Sequence, residues 1–312
     1  MVINMIGDRL REEFGRKIYK LALDIGCTCP TRDGTKGTGG CIFCSKAGSG
    51  DFSERFTGAQ EELERAKARL GAKIDTKSAG FIAYFQNFTN TYAPVEYLEL
   101  LFTAALKDES VVGLSIATRP DCLGPDIIEM IRRLCSVTMV FVELGLQTIH
   151  EGTAAFIRRR YPLSDYDRAV EQLHLAGARV VTHLIFGLPY TVGNGGSVKT
   201  SKPVQDAEPV LALESKEMML DSVRYAVNSG TDGVKFHLLH VLRGTDLAEL
   251  YAKGAFRTLT MDEYIEIVAA ALAILPDNVS VHRLTGDPPR KLLIAPTWAT
   301  DKKRILNRIH SL

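Results

Sequence analysis

The sequence lacks a long apolar segment and lacks an excess of charge of either sign. No run of 18 or more apolar residues occurs in its 312 residues, and residues 1–20 are charged and amphipathic, without the apolar centre of a signal peptide. The formal charge is +1, from 38 basic and 37 acidic residues, so nothing global draws the chain towards polyanions. We therefore expect a cytoplasmic protein with no membrane partner.

Internal repeats and low-complexity tracts are also lacking, and what is present is an alternation of two patterns. Short β-rich apolar runs alternate with longer amphipathic stretches, which is typical of βα units and a parallel sheet. Strands are predicted at 19–25, 80–85, 111–117, 138–146, 179–186 and 233–241, with a further extended piece at 279–284. Helices are predicted at 59–70, 95–106, 125–134, 163–176, 216–228 and 261–275, followed by a basic terminal helix.

This alternation predicts one large α/β barrel domain. Thr260 is the predicted amino-terminal cap of the helix at 261–275. Loops at the carboxyl ends of the strands build the active site in such barrels. The segment 190–215 breaks the rhythm, because it is rich in Gly, Ser, Pro and Thr, and both a substrate lid and a floppy insertion remain open.

Four of the six cysteines lie close together after the first strand, which indicates metal ligation rather than disulfides. Cys29, Cys41 and Cys44 form a C-x11-C-x2-C pattern. Three thiolates on a four-iron cluster leave one iron open to chelate S-adenosylmethionine (SAM) and cleave it. A closed zinc site that includes Cys27 is the alternative, although the barrel mouth favours an open cluster. Cys122 and Cys135 are expected to be core thiols.

Polar side chains follow the second and third strands. If the chain stays extended after the second strand, Gln86, Phe88 and Asn90 share one face. Such amides suit the amino-acid part of SAM, although an ordinary polar turn would show the same composition. Arg119 follows the third strand, where it either engages a carboxylate or pairs with Asp121.

The remaining strands carry polar groups among apolar residues. Glu143 and Gln147 share a face of the fourth strand, and Glu143 either binds ribose hydroxyls or forms a structural ion pair. Apolar side chains before Gly187, at the end of the fifth strand, could hold adenine, whereas His183 reads as a core histidine. The sixth strand carries more polar side chains than a buried core needs, namely Lys235, His237 and His240. We therefore expect them to contact substrate or cofactor.

Together these motifs resemble the YhcC-type radical SAM family over nearly the whole chain. More distantly, the chain resembles the radical SAM domain of the elongator acetyltransferase subunit. The motifs are Thr28-Cys29-Pro30, Arg32-Asp33-Gly34-Thr35, Gly39-Gly40-Cys41, Phe43-Cys44, Gln86 with Thr89-Asn90-Thr91-Tyr92, Ala117-Thr118-Arg119-Pro120-Asp121, Glu143-Leu144-Gly145-Leu146-Gln147-Thr148, Gly187-Leu188-Pro189 and His282-Arg283-Leu284-Thr285-Gly286-Asp287.

The resemblance implies a single radical SAM domain built as a partial parallel (β/α)6 TIM-like barrel, with the core over roughly 18–275 and a small extension over 276–312. It implies a [4Fe-4S] cluster on the three cysteines of the C-x11-C-x2-C pattern and an external electron donor such as flavodoxin or ferredoxin. Cys27 and the 190–215 loop depart from the family pattern. The residues expected to bind SAM are Phe43, Gln86, Asn87, Thr118, Arg119, Glu143, Gln147, Ile185 and Gly187.

Similar members of the family include queuine lyase, which implies a small polar substrate and C-N cleavage of queuine to release aminomethyl-7-deazaguanine. A tRNA substrate is the first alternative, and a zinc-stabilised binding protein without redox chemistry is the second. The neutral net charge favours the small substrate over tRNA. The side chains expected to contact substrate are Asn90, His237, His240, Arg283 and Asp287.

Overall fold

The computed structural model describes residues 3–46, 48, 53–71, 74–76, 78–192 and 210–311. Its centre is one sheet of eight parallel strands with helices packed against it, which confirms the predicted α/β class. The strands of the described residues are β1 Ile18–Asp24, β2 Glu54–Arg55, β3 Gly80–Phe85, β4 Val111–Thr118, β5 Met139–Gln147, β6 Arg179–Phe186, β7 Pro189–Thr191, β8 Leu211–Leu213, β9 Gly233–Leu238, β10 Val241–Leu242, β11 Ser280–Arg283 and β12 Leu293–Ala295.

Helices connect most of the long strands and pack against the sheet. Two short 3-10 helices, Pro120–Cys122 and Thr297–Thr300, supplement them. Thr260 caps α9 as predicted, since its side chain accepts from the backbone N–H of Glu263. The α-helices of the described residues are α1 Ile6–Phe14, α2 Gln60–Arg69, α3 Val95–Ala105, α4 Pro125–Cys135, α5 Glu151–Phe156, α6 Leu163–Leu175, α7 Lys216–Asn228, α8 Asp246–Ala252, α9 Met261–Ala273 and α10 Lys302–His310.

The large sheet is curved but open. Its strand order is β2-β1-β3-β4-β5-β6-β9-β11, so the two short strands β2 and β11 form its two edges. The six strands between these edges correspond to the six that the sequence predicts. This is the partial (β/α)6 barrel expected from the family resemblance.

Inward-facing side chains form layers, because successive residues of a strand point to opposite faces. At the amino ends of the strands, Leu10 of α1 packs with Ile82, Phe141 and Val181 and closes the barrel with apolar side chains. Two residues further along each strand lies a set that we call the polar layer: Lys20, Tyr84, Ser115, Glu143, His183 and Lys235. The next layer towards the carboxyl ends is formed by Ala22, Gln86, Ala117, Gly145, Ile185 and His237.

The structure departs from the sequence prediction at two strand ends. The strand predicted at 233–241 ends at Leu238, because Val241 instead pairs antiparallel with Ala295 in a separate small sheet. The 190–215 segment begins and ends in the antiparallel pair β7 and β8, while its residues 193–209 lie outside the described residues. No described helix has the length and apolar composition needed to cross a bilayer.

Candidate active site

A cavity of about 1330 Å³ opens at the carboxyl ends of the parallel strands. Cys29, Cys41 and Cys44 line it, together with side chains from the polar layer and the layer above it. This is the edge of the sheet where α/β barrels place their active sites. The cavity therefore joins the cysteine loop and the barrel interior in one space.

The cysteine loop leaves β1 at Asp24 and folds back through backbone hydrogen bonds. The N–H of Gly40 donates to the carbonyl of Thr31 over 2.8 Å, and the N–H of Cys44 donates to the carbonyl of Cys41 over 3.0 Å. Gly37 has a φ of +121°, and a Cβ there would overlap the guanidinium of Arg160. The glycines thus allow a long loop to return its two later cysteines to the cavity wall.

Two consecutive arginines, one buried and one exposed, link this loop to the end of β5. Arg159, on the segment after α5, is buried and donates to the carbonyl of Thr148 over 2.5 Å and to Glu151 over 3.0 Å. Its neighbour Arg160 donates to the carbonyl of Lys36 over 2.5 Å. The loop is therefore anchored to the end of β5 rather than suspended in solvent.

The three cavity thiols are half-buried and lie near one another. The Sγ of Cys29 is 3.0 Å from the Oγ1 of Thr89, which lies after β3. Burial raises the pKa of Cys41 to about 12 and also raises the pKa of Cys44, against the opposing effect of Arg32. Without metal these groups are thiols, so binding iron must displace their protons.

Cys27 lies in a different environment. Its side chain is buried in the main hydrophobic core and does not line the cavity, and burial raises its pKa to about 12. Within the described ranges, no three His, Cys, Asp or Glu side chains converge closely enough to share a single metal ion. Three spaced thiols on one cavity fit a polynuclear cluster, whereas the four-thiolate zinc site of the alternative hypothesis would need Cys27.

A network of buried charges occupies the polar layer. Glu143 accepts from the ammonium groups of Lys20 and Lys235, each over 2.6 Å. The hydroxyls of Tyr84 and Ser115 also donate to this carboxylate, over 2.9 and 3.0 Å. Of the two roles left open for Glu143, the structure shows the ion pair, and its carboxylate oxygens are already occupied by four donors.

The pKa shifts of this network have opposing causes. Burial alone would raise the pKa of Glu143, but the two ammonium groups outweigh burial and hold the pKa well below its usual range. Burial lowers the pKa of Lys235 to about 7, although Glu143 opposes that shift. The ion pair therefore keeps Glu143 ionised, while desolvation reduces the fraction of Lys235 that is protonated at neutral pH.

Two imidazoles and one guanidinium lie above the polar layer, next to the imidazole of His183 within it. The rings of His183 and His237 have centroids 4.2 Å apart, and Nη1 of Arg283 donates to Nε2 of His237 over 2.9 Å. Burial lowers the pKa of His183 to about 3 and of His240 to about 4, and lowers that of His237 well below its usual range. These imidazoles are therefore neutral at physiological pH.

Arg119 makes the structural pair that the sequence left open. Its guanidinium donates twice to Asp121, over 2.9 Å in each case, and once to the carbonyl of Arg159 over 2.8 Å. It also lies over the ring of Tyr161, 5.1 Å from the centroid. Arg119 still lines the cavity, but its charge is balanced by Asp121.

The cavity brings together most of the predicted site residues. Of the expected SAM-binding side chains it includes Phe43, Gln86, Thr118, Arg119, Glu143, Gln147 and Ile185. Of the expected substrate contacts it includes His237, His240, Arg283 and Asp287. Buried Oε1 of Gln147 finds no hydrogen-bond partner within the described part of the chain.

Asn87, Asn90 and Gly187 do not line this cavity. The chain does not stay extended after the second strand, because β3 ends at Phe85 as predicted and Phe88 has a φ of +57°. The turn buries both amides: Asn87 accepts from Ser53, and Asn90 donates to the carbonyls of Phe85 and Ala117. Gly187 lies against Leu259, where an added Cβ would be 3.0 Å from that side chain.

Sequence reasoning missed the contributions of Lys20, Tyr84 and Tyr161 to the cavity. For Lys20 there was a signal in the sequence, a lysine inside a buried strand. It lies two residues before Ala22 and therefore on the same face of that strand. Tyr84 and Tyr161 gave no comparable signal, since buried tyrosines are common in cores. Their roles depend on which strands become neighbours.

A family model described as the radical SAM superfamily matches residues 33–193, and one described as the Radical_SAM C-terminal domain matches residues 231–312. YtqA of Bacillus subtilis is 42% identical over 302 residues, covering 96% of this chain and 86% of that protein. YhcC of Escherichia coli is 31% identical over 305 residues, covering 96% and 89%.

Two further matches are more distant. The tRNA uridine(34) acetyltransferase of Methanocaldococcus jannaschii is 28% identical over 183 residues, covering 59% of this chain and 30% of that protein. The solved structure of Methanocaldococcus infernus Elp3 with an amino-terminal deletion superposes with a TM-score of 0.60 at 20% identity, covering 81% of this chain and 57% of that one. The structural likeness concerns the fold alone.

Proposed function

The chain belongs to the radical SAM superfamily, whose members use a [4Fe-4S] cluster and SAM, and on that premise we propose that Cys29, Cys41 and Cys44 hold the cluster. The observation that carries this assignment is that these three thiols line one cavity while Cys27 is enclosed in the hydrophobic core. Three protein ligands leave one iron open for SAM. When bound, the cluster supplies the electron that cleaves SAM to methionine and a 5'-deoxyadenosyl radical.

The protein's own part in this chemistry is positioning and exclusion of water. Gln147 offers a buried acceptor oxygen for an ammonium or hydroxyl of SAM, and Ile185 and Phe43 offer apolar surface to its adenine. The apolar layer beneath the polar layer closes the amino end of the barrel, so substrate enters from the side of the cysteine loop. Abstraction of hydrogen from a C-H bond needs no general base.

The most specific form of the proposal is a lyase that cleaves the C-N bond of queuine. The neutral rings of His237 and His240 and the carboxylate of Asp287 supply donors and acceptors for its ring edge and diol. The proposed substrate contacts do not include Asn90, because its side chain is buried against the backbone of β3 and β4.

A modified tRNA nucleotide is the second candidate substrate, and one observation favours it. Arg290, Lys291 and Lys302 line the outer part of the cavity. Arg290 and Lys291 are exposed, although Lys302 pairs with Asp287. A basic rim suits phosphate contacts, and one relative is named for its action on tRNA uridine 34.

The deciding experiment is anaerobic incubation of the reconstituted protein with SAM and dithionite, followed by mass spectrometry. We expect 5'-deoxyadenosine, and its absence would overturn the proposed function. Parallel reactions with queuine and with bulk tRNA separate the two substrates: aminomethyl-7-deazaguanine identifies the lyase, and a mass change in a tRNA nucleoside identifies the modifying enzyme. Binding to tRNA that weakens steeply with salt would support the second result.

A cytoplasmic location and a flavodoxin or ferredoxin donor complete the proposal. A reducing compartment keeps the three ligand thiols free, and the cluster must receive one electron per cleavage. Replacement of dithionite by reduced flavodoxin or ferredoxin tests the donor directly.

A further inference from the structure

The interior of the cavity carries more positive charge than its carboxylates balance. Lys20 and Lys235 share a single carboxylate, Glu143, and Arg283 adds a third cation close by. Because burial lowers the pKa of Lys235 to about 7, that ammonium is only partly protonated, and Lys20 and Arg283 against the one carboxylate leave at least one positive charge in excess in a largely buried space. Uncompensated charge in such a space is costly, and an anionic ligand would offset it.

Arg283 is the cation with unused hydrogen-bonding capacity. Its guanidinium is half-buried at the end of β11, and among the described residues it makes one hydrogen bond, a donation to Nε2 of His237 over 2.9 Å. No carboxylate lies within 4.0 Å of it in the part of the chain that the structure describes. The guanidinium fork matches the geometry of a carboxylate or phosphate, which it can bind through two parallel hydrogen bonds.

The electrostatic influence of Arg283 extends over its neighbours. Together with burial, its charge lowers the pKa of Lys235, His183, His237 and His240. Neutral imidazoles can donate a hydrogen bond to an anion without adding to the cost of burying charge. Nε2 of His183 and of His240 is buried with no hydrogen-bond partner among the described residues, so each is available for such a bond.

The turn after β11 holds these groups in place. Gly286 packs so closely on the two imidazoles that an added Cβ would lie 2.8 Å from Nδ1 of His237 and 3.3 Å from Cε1 of His240. Arg283 and the rings are therefore fixed relative to each other by the backbone. A preorganised cationic group of this kind is typical of an anion-binding site.

We propose that the substrate carries an anionic group, a carboxylate or a phosphate, and that Arg283 with the neighbouring imidazoles binds it above the polar layer. This inference rests on the proposed function and names the substrate class for the same cavity. It also decides between the two candidate substrates: queuine carries neither a carboxylate nor a phosphate, so the inference favours the tRNA nucleotide, which carries phosphate.

The test uses the anaerobically reconstituted, oxidised holoprotein, in which SAM is not cleaved. Its melting temperature is measured with acetate and, separately, with inorganic phosphate, against chloride of matched ionic strength. A ligand that binds only the native state raises the melting temperature, by an amount that grows with the logarithm of its concentration relative to its dissociation constant. We expect one or both anions to raise it, with the more effective anion identifying carboxylate or phosphate as the group bound.

Variants assign that shift to a residue. Arg283→Gln should weaken the apparent anion affinity at least about tenfold, as expected for loss of charged hydrogen bonds. Arg283→Lys keeps the charge without the guanidinium fork, so its anion affinity should lie between those of the unchanged protein and Arg283→Gln. This variant provides the test if the glutamine variant does not fold. Arg11→Gln, at an exposed position of α1 outside the cavity, is the matched control and should bind as the unchanged protein does.

Three results would overturn the inference: no anion-specific shift, a shift that Arg283→Gln leaves intact, or a shift that saturating SAM abolishes. The last would mean that Arg283 holds the carboxylate of SAM itself. Production of 5'-deoxyadenosine with dithionite, measured on the same preparations, reports separately on the proposed function. Anion binding needs no turnover, so failure of one experiment does not imply failure of the other.

Discussion

Nζ of Lys235 lies 2.6 Å from Oε2 of Glu143 at the centre of the barrel, and both side chains are almost fully shielded from solvent. The pair joins β5 to β9, two strands that are separated by β6. A buried ion pair is weak evidence for net stabilisation, but loss of one partner leaves the other charge buried without a counter-ion. This relationship makes the polar layer both a structural and a functional feature of the cavity.

Glu143→Gln tests that dependence. The substitution leaves the ammonium groups of Lys20 and Lys235 without an anionic partner, so we expect a loss of about 3–5 kcal/mol in the free energy of unfolding. Urea denaturation measures it. Glu99→Gln, which removes one partner of the exposed pair with Arg133, is the control and should cost less than about 1 kcal/mol. Equal losses for the two variants would show that Glu143 is not buried as described.

Acid should destabilise the protein partly through His183. Burial depresses the folded-state pKa of this imidazole to about 3, whereas in the unfolded chain it protonates near 6.5. The unfolded state therefore binds the extra proton as the pH falls below about 6.5, and stability decreases by up to about 1.4 kcal/mol per pH unit until the folded-state pKa is reached.

His183→Gln removes this contribution. Between pH 6.5 and pH 5 we expect the melting temperature of the variant to fall less than that of the unchanged protein. His310→Gln, at an exposed position near the carboxyl terminus, should follow the unchanged protein. An identical pH dependence for His183→Gln and the unchanged protein would contradict the buried neutral imidazole.

Gln147→Ala tests the assignment of SAM to the end of β5. The buried Oε1 of Gln147 has no hydrogen-bond partner among the described residues, so SAM would supply the missing donor. Loss of one hydrogen bond should raise the dissociation constant of SAM about fivefold to tenfold. Equilibrium dialysis against the oxidised holoprotein measures it, with Gln60→Ala as a remote control that should bind SAM normally.

Sequence periodicity was sufficient to predict the long strands, because it is a local pattern. The capping box of Thr260 and Glu263 is local in the same sense, and the structure contains it. The sequence left open whether the chain stays extended after the second strand, and the left-handed turn at Phe88 instead buries Asn87 and Asn90. No periodicity signals such a turn at a residue other than glycine.

The polar layer required the three-dimensional structure. Lys20, Glu143 and Lys235 are far apart in the chain, and their convergence depends on the strand order and on the parallel register. Sequence alone left Glu143 between a ribose contact and an ion pair. Only the positions of both lysines decide that it forms the ion pair.

The assignment of the cluster to three cysteines is tested most directly by single alanine variants of Cys27, Cys29, Cys41 and Cys44. After anaerobic reconstitution, iron content, absorption near ~400 nm and 5'-deoxyadenosine formation are measured for each. The account predicts that Cys27→Ala retains all three signals, while each variant of the cavity-lining cysteines loses them. A cluster with full SAM cleavage in any of those three variants, or loss of the cluster in Cys27→Ala alone, would contradict it.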